Sequence, residues 1–173
     1  MSKNALIIVD MLNDFIRPEG ALYCGPAAEA IVPFIAERLE HYRNSSQAVI
    51  FLKDSHQPND LEFDKFPRHC VAGTWGGRII DELTPGPGET VIAKNRYSGF
   101  FNTNLAKVLR RLSPELVEVV GVCTSICVMD TVGGLANRDY RILVPRRGVA
   151  DFDRQFHEFA LKRMQQLYGA KIQ

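Results

Sequence analysis

The run Val119-Val120-Gly121-Val122-Cys123-Thr124-Ser125-Ile126-Cys127-Val128 closes an apolar, β-branched stretch with a short polar turn and puts Cys127 where a helix begins. Helix N-termini carry unpaired N–H groups and a partial positive charge, so a thiol there is expected to give up its proton more readily. Cys127 therefore reads as a nucleophile, and the turn before it offers N–H groups for an oxyanion. A buried structural cysteine is the competing reading. Two further segments bear on that choice. Ala5–Val9 is an apolar run ending at Asp10, and Thr90–Ala93 is a shorter one ending at Lys94. Taken singly, Asp10 could cap a turn and Lys94 could be a solvated lysine. Together they place a base, a cation and a thiol at equivalent ends of three strands, where open α/β sheets form their ligand crevices.

A second group of residues suggests a metal. Asp54 and His56 lie two apart just after another strand, so in an extended segment they point the same way. Glu62, Asp64 and His69 follow in the same loop. Imidazole and carboxylate together suit zinc, manganese or iron. Loop capping and surface histidines are the alternative on spacing alone.

The elements that would carry these groups alternate between strand and helix, the mark of a parallel sheet covered on both faces. Strands are predicted near Ala5–Asp10, Ala48–Lys53, Val91–Ala93, Leu116–Gly121 and Arg141–Val144, with a short last one after Gly169. Helices are predicted over Ala27–Arg43, Asn102–Leu112, Ser125–Arg138 and Arg154–Leu167. Pro33 marks a kink or a late start in the first. Asp153 can cap the last and Gly169 can end it. Asp54 to Gly88 is a long irregular stretch rich in Pro and Gly, and a loop of that length inside a compact domain is usually functional. The expected fold is a single α/β domain spanning 1–173, a three-layer αβα sandwich with a mostly parallel six-stranded sheet.

With 173 residues the chain suffices for one well-buried domain. A net charge of +1 gives no electrostatic reason to expect a nucleic-acid or membrane partner. The doublets Arg110-Arg111 and Arg146-Arg147 read as solvated surface. The start, Met1-Ser2-Lys3-Asn4, lacks a signal-peptide pattern, and no apolar run has membrane-spanning length, so a cytoplasmic location is expected. Cys24, Cys70, Cys123 and Cys127 are not at zinc-ribbon or thioredoxin spacing and are expected to be reduced.

Three segments, Val9–Phe15, Lys94–Phe100 and Gly121–Val128, match in order and spacing those of the isochorismatase-like cysteine hydrolases, and among them the chain most resembles the nicotinamidases. The resemblance implies a catalytic set of Asp10, Lys94 and Cys127. It also implies a cis peptide at Val122–Cys123, with the N–H groups of Cys123 and Cys127 serving the oxyanion. One divalent ion would be held by Asp54, His56 and His69, with Glu62 as a further ligand and Asp64 as its competitor. Phe15, Phe66 and Tyr97 would line the pocket; Trp75 is a candidate by type and loop position only. For Phe100 and Phe101 core packing is the preferred reading. The family usually has Asp where Ser125 stands, and serine can also cap a helix. It often has Gln at Leu12, which would alter the surroundings of Asp10. The implied reaction is hydrolysis of nicotinamide to nicotinate and ammonia through a thioester, in NAD salvage, by a homo-oligomer. The rivals are an amidohydrolase of the same superfamily acting on a carbamoyl or ureido compound, a non-catalytic binding protein on this fold, and, more remotely, a redox protein using Cys123 and Cys127.

Overall fold

The computed structural model describes residues 3–173. Seven strands form one sheet: β1 (Asn4–Val9), β2 (Ala48–Asp54), β3 (Thr90–Lys94), β4 (Leu116–Val122), β5 (Ile142–Val144), β6 (Val149–Ala150) and β7 (Lys171–Ile172). The order is β3-β2-β1-β4-β5-β7, with β6 also paired to β4, and every pairing is parallel. Central strands of such a sheet are covered on both faces, so they need side chains apolar throughout. β1 satisfies this. Ala5, Ile7 and Val9 enter one core, and Leu6 and Ile8 enter the other. The first core is closed by α4 (Leu105–Leu112), α5 (Met129–Ala136) and α6 (Arg154–Tyr168). The second is closed largely by α3 (Val32–Asn44) through Ile35, Leu39 and Tyr42.

The chain runs outward from β1 through β2 to β3, then returns to place β4 on the other flank of β1. The crevice of a doubly wound sheet opens at such a reversal, beyond the carboxyl ends of the strands. The close approach of β1 and β4 there depends on Gly121. Its φ is +120°, and a Cβ on it would lie 2.0 Å from the carbonyl oxygen of Val9.

The sheet has one strand more than expected. β6 is only two residues long and exists through its pairing with β4. The helical segments before β2 also differ from expectation. A single turn, α1 (Asn13–Ile16), follows Asp10, and the helix expected over Ala27–Arg43 is two, α2 (Pro26–Ala30) and α3. Pro33 falls in the first turn of α3, where a missing N–H costs nothing. α4 begins at Leu105, later than expected, because Asn102 is left-handed at φ 52° and Thr103 Oγ1 accepts from the Leu105 N–H at 3.2 Å. α6 matches its expected span, with Asp153 accepting from the Phe156 N–H at 2.9 Å and Gly169 ending it at φ +66°. The Asp54–Gly88 stretch contains two short 3-10 turns, Leu61–Asp64 and Asp81–Leu83. It is pinned back by bridges from His56 to Val71 and from Leu12 to Ile79. Among the described residues no helix is long and apolar enough to cross a membrane.

Candidate active site and metal centre

Four strands deliver the polar groups of the site. Asp10 follows β1, Asp54 ends β2, Lys94 ends β3, and Cys123 follows β4. Asp10 adopts a left-handed backbone at φ 51° and is fully buried. Its carboxylate accepts from the Asp54 N–H at 2.9 Å and lies 2.7 Å from Lys94 Nζ. Lys94 is enclosed between Asp10 and Asp54, hydrogen bonds to the Asp54 carboxylate, and points its Nζ at Cys127 Sγ, 3.4 Å away. The structure thus brings Asp10, Lys94 and Cys127 together.

Cys127 does not sit in the first turn of an α-helix. Thr124–Val128 forms a π-turn that leads into α5. The Cys123 carbonyl accepts from Ile126 at 3.1 Å and Val128 at 3.2 Å, passing over Cys127, whose N–H an α register would have used. The Val122–Cys123 peptide is cis, as the resemblance implied. Ser125 is not the cap: it lies inside the turn, and its N–H donates to Asp151 at 2.7 Å. His157 of α6 holds the same turn through Thr124 Oγ1 at 2.9 Å.

The electrostatics correct one expectation. Burial pushes the Cys127 thiol well above its ordinary range; Lys94 opposes this, and Asp10 and Asp54 add to it. Burial, with two buried carboxylates added to it, outweighs one ammonium. The resting group is a thiol. Burial, then the neighbouring Asp54, raises Asp10 to about 7 despite Lys94. Lys94 is itself driven well above its usual value: burial works against the charge, but Asp10 and Asp54 prevail.

The second group converges beside the first. One ligand atom each from Asp54, His56 and His69 lie within 4.8 Å of one another, and all three residues are buried. His56 Nδ1 is 3.1 Å from an Asp60 oxygen, and His69 Nδ1 is 2.7 Å from the Pro67 carbonyl. Both rings are thereby set to present Nε2 to the shared space. His56 Nε2 is buried with no hydrogen-bond partner among the described residues and lies 3.6 Å from an Asp54 oxygen. Glu62 is buried with Oε1 3.9 Å from His69 Nε2, whereas Asp64 is exposed. This donor set fits one divalent cation, with Glu62 alongside.

Both groups open on one cavity of about 350 Å³, bounded by Cys127, Asp10, Asp54, Glu62 and His69. Phe15, Phe66 and Tyr97 line it, as do Leu22, Ile126 and Phe152. Trp75 does not. It is 43% exposed, and its carbonyl serves Asn13. Phe100 packs on the core at Gly134, but Phe101 is exposed, contrary to expectation. Leu12 is buried in the apolar cluster, and Lys94 and the Asp54 N–H attend to Asp10 instead. Cys24 was missed. It lines the cavity with its sulfur 3.2 Å from that of Cys123, a pairing no local pattern indicates. Asp60 and Asp151 were also missed. An Asp just before Leu-Glu-Phe-Asp has the pattern of an N-cap, so Asp60 was in principle readable.

A family model described as the isochorismatase domain matches residues 4–173. The crystal structure of nicotinamidase/pyrazinamidase PncA from Bacillus subtilis is similar at a TM-score of 0.93 and 32% identity, with 98% of each chain covered. That of the pyrazinamidase of Pyrococcus horikoshii in complex with zinc is similar at 0.93 and 30%, covering 99% of this chain and 98% of that one. N-carbamoylsarcosine amidase from Thermoplasma acidophilum gives 0.89 and 35%, covering 99% and 95%. The shared parallel sheet and a family match over nearly the whole length agree: the chain belongs to the isochorismatase family.

Proposed function

We propose that the protein is a nicotinamidase, hydrolysing nicotinamide to nicotinate and ammonia. The observation that carries this reading is the shared cavity, in which Asp54 and His69 of the donor set and Cys127 line one aromatic-walled space, with His56 buried beside Asp54 and His69. Asp54, His56 and His69, with Glu62 beside them, would hold a divalent cation, which would supply a Lewis-acid anchor for a pyridine nitrogen. Phe15, Phe66 and Tyr97 supply flat apolar walls for the ring. This reading is supported by the likeness to the Bacillus and Pyrococcus enzymes.

The chain's own groups then perform the chemistry. The Cys127 thiol gives its proton to Asp10 as sulfur attacks the amide carbon, and Lys94 stabilises the sulfur as it becomes anionic. With its pKa raised to about 7, Asp10 both accepts that proton and returns it to the departing nitrogen, which leaves as ammonia. The N–H groups of Cys123 and Cys127 are assigned to the oxyanion, a role typically worth about 3 kcal/mol per donor. Asp10 next takes a proton from the water that opens the Cys127 thioester and passes it to the departing Cys127 sulfur, so that nicotinate leaves and the resting thiol and carboxylate are restored. Such an activity belongs to the salvage of the pyridine ring for NAD.

The test is ammonia release from nicotinamide, pyrazinamide and benzamide, with and without chelator. Nicotinamide and pyrazinamide should be turned over, and benzamide, which lacks a ring nitrogen, should not. Chelation or His69→Ala should raise KM and lower kcat, while Cys127 remains open to a small alkylating reagent. The second reading is a cysteine amidohydrolase acting on a carbamoyl compound. It is favoured by the 35% identity to N-carbamoylsarcosine amidase. Equal turnover of benzamide and nicotinamide in chelator would refute the nicotinamidase reading, and turnover of an N-carbamoyl compound in preference to nicotinamide would select the second.

A further inference from the structure

One carboxylate outside the donor set bonds two of the residues proposed to surround the ion. Asp60 Oδ2 lies 3.1 Å from His56 Nδ1, and Asp60 Oδ1 accepts from the Glu62 N–H at 2.9 Å. That second bond caps the 3-10 turn carrying Glu62. Arg96, two residues beyond Lys94, donates from one guanidinium nitrogen to both Asp60 oxygens, at 2.9 and 3.2 Å. The Asp60 side chain is only 5% exposed although it sits in the long loop. A carboxylate anchored from β3 therefore bonds the far side of one proposed ligand and the backbone of another.

We propose that Asp60 is the positioning residue of the metal centre, fixing the His56 ring and its Nδ1–H tautomer so that Nε2 faces the ion while the same carboxylate seats Glu62. The inference rests on the metal reading above. Neutral imidazole carries one proton, and a carboxylate at Nδ1 draws it there, leaving the Nε2 lone pair free for a cation. Partners of this kind typically contribute about 10- to 100-fold to metal affinity.

Two substitutions separate aiming from capping. Asp60→Asn keeps the length but has one acceptor oxygen: with that oxygen on the Glu62 N–H, its NH2 faces His56 Nδ1 and favours the tautomer that protonates Nε2. Asp60→Ser keeps the cap, since serine serves that position well, but is too short to reach His56. Zinc dissociation constants for the full-length, metal-stripped proteins, measured by competition with a chromophoric chelator, give the readout, with thermal melts of the same samples as the folding control. Asp60→Asn, which keeps the cap but sets a donor against Nδ1, should bind zinc at least about 10-fold more weakly than the parent. Asp60→Ser should bind about 10- to 100-fold more weakly with little change in melting temperature. Parent-like zinc affinity in Asp60→Ser would overturn the proposal and leave Asp60 as a cap. If the parent protein binds zinc no better than His69→Ala, the metal reading itself falls, and this inference with it.

Discussion

Asp10→Asn tests the proposed chemistry most directly, because the structure says what the substitution keeps. Asn has the same shape, tolerates the left-handed backbone at φ 51°, and its carbonyl can still accept from the Asp54 N–H now 2.9 Å away. Lys94 retains Asp54 as its counter-ion. The fold should therefore survive. What disappears is the group that takes the thiol proton and later delivers it to ammonia. A single acid–base group contributes about 10²- to 10⁴-fold, and one serving both steps belongs at the upper end. The expected loss in kcat/KM is about 10³- to 10⁴-fold, or about 4 to 5 kcal/mol at 1.36 kcal/mol per tenfold.

The thiol itself should respond in the opposite sense. Asp10 is one of the groups holding Cys127 protonated, and Lys94 opposes them from 3.4 Å. Removing the negative charge should make the thiol more acidic, so alkylation of Cys127 by iodoacetamide at fixed pH should be no slower than in the parent. The assay pairs ammonia release with intact-mass spectrometry of the alkylated protein. Turnover within tenfold of the parent would refute Asp10 as the proton shuttle. A parallel collapse of turnover and alkylation would show that the substitution had disordered the site.

Three other outcomes are expected. Asp10 must be ionised to accept the proton; burial and Asp54 raise it to about 7 in the metal-free site and a cation beside Asp54 would draw it down from there, so kcat/KM should fall tenfold per pH unit on the acid side of its pKa. It should stay level through mildly alkaline pH, since Lys94 and Cys127 both titrate well above their ordinary values; a profile flat down to about pH 5 would exclude Asp10. Lys94→Ala leaves Asp10 and Asp54 buried without their shared cation and should cost about 3–5 kcal/mol in urea unfolding, besides nearly abolishing turnover. Gly121→Ala drives a Cβ to within 2.0 Å of the Val9 carbonyl at φ +120° and should destabilise by about 3 kcal/mol or more, read from the urea midpoint.

What was legible in the sequence was local. Ala5–Val9 of β1, Val91–Ala93 of β3 and the Val-Val-Gly-Val end of β4 are apolar runs, and a residue just beyond such a run lands near the sheet's carboxyl edge. That is why Asp10, Lys94 and Cys127 could be placed together before any coordinates. β6 escaped because two residues carry no periodicity, and their strand character comes entirely from β4. The π-turn escaped because apolar spacing does not distinguish it from the first turn of α5. The acidity of Cys127 was misjudged for a deeper reason. The helix-terminus effect belongs to the segment itself, whereas burial and the charges of Asp10 and Asp54 come from strands far away in sequence. Trp75 and Phe101 failed similarly, residue type alone saying nothing about which way a loop faces.

Charge balance ties the two halves of the site together. Asp10, Asp54, Asp60 and Glu62 have side chains no more than 5% exposed. Lys94 pairs with the first two, and Arg96 reaches the last two, bonding Asp60 and lying 3.9 Å from Glu62. With neutral imidazoles and a neutral thiol, four carboxylates face two cations, a deficit equal to the charge of one divalent ion. The metal-free protein relieves such a deficit by holding protons. Burial and then Asp54 raise both Asp10 and Glu62, one in each half of the site. Asp54 is common to both halves, with one oxygen on Lys94 and the other toward His56 Nε2. A cation beside Asp54 would therefore be felt at Asp10 through the carboxylate they both crowd. The group that would anchor a substrate ring and the group that would move its proton are parts of one electrostatic unit, which spacing along the chain could not show.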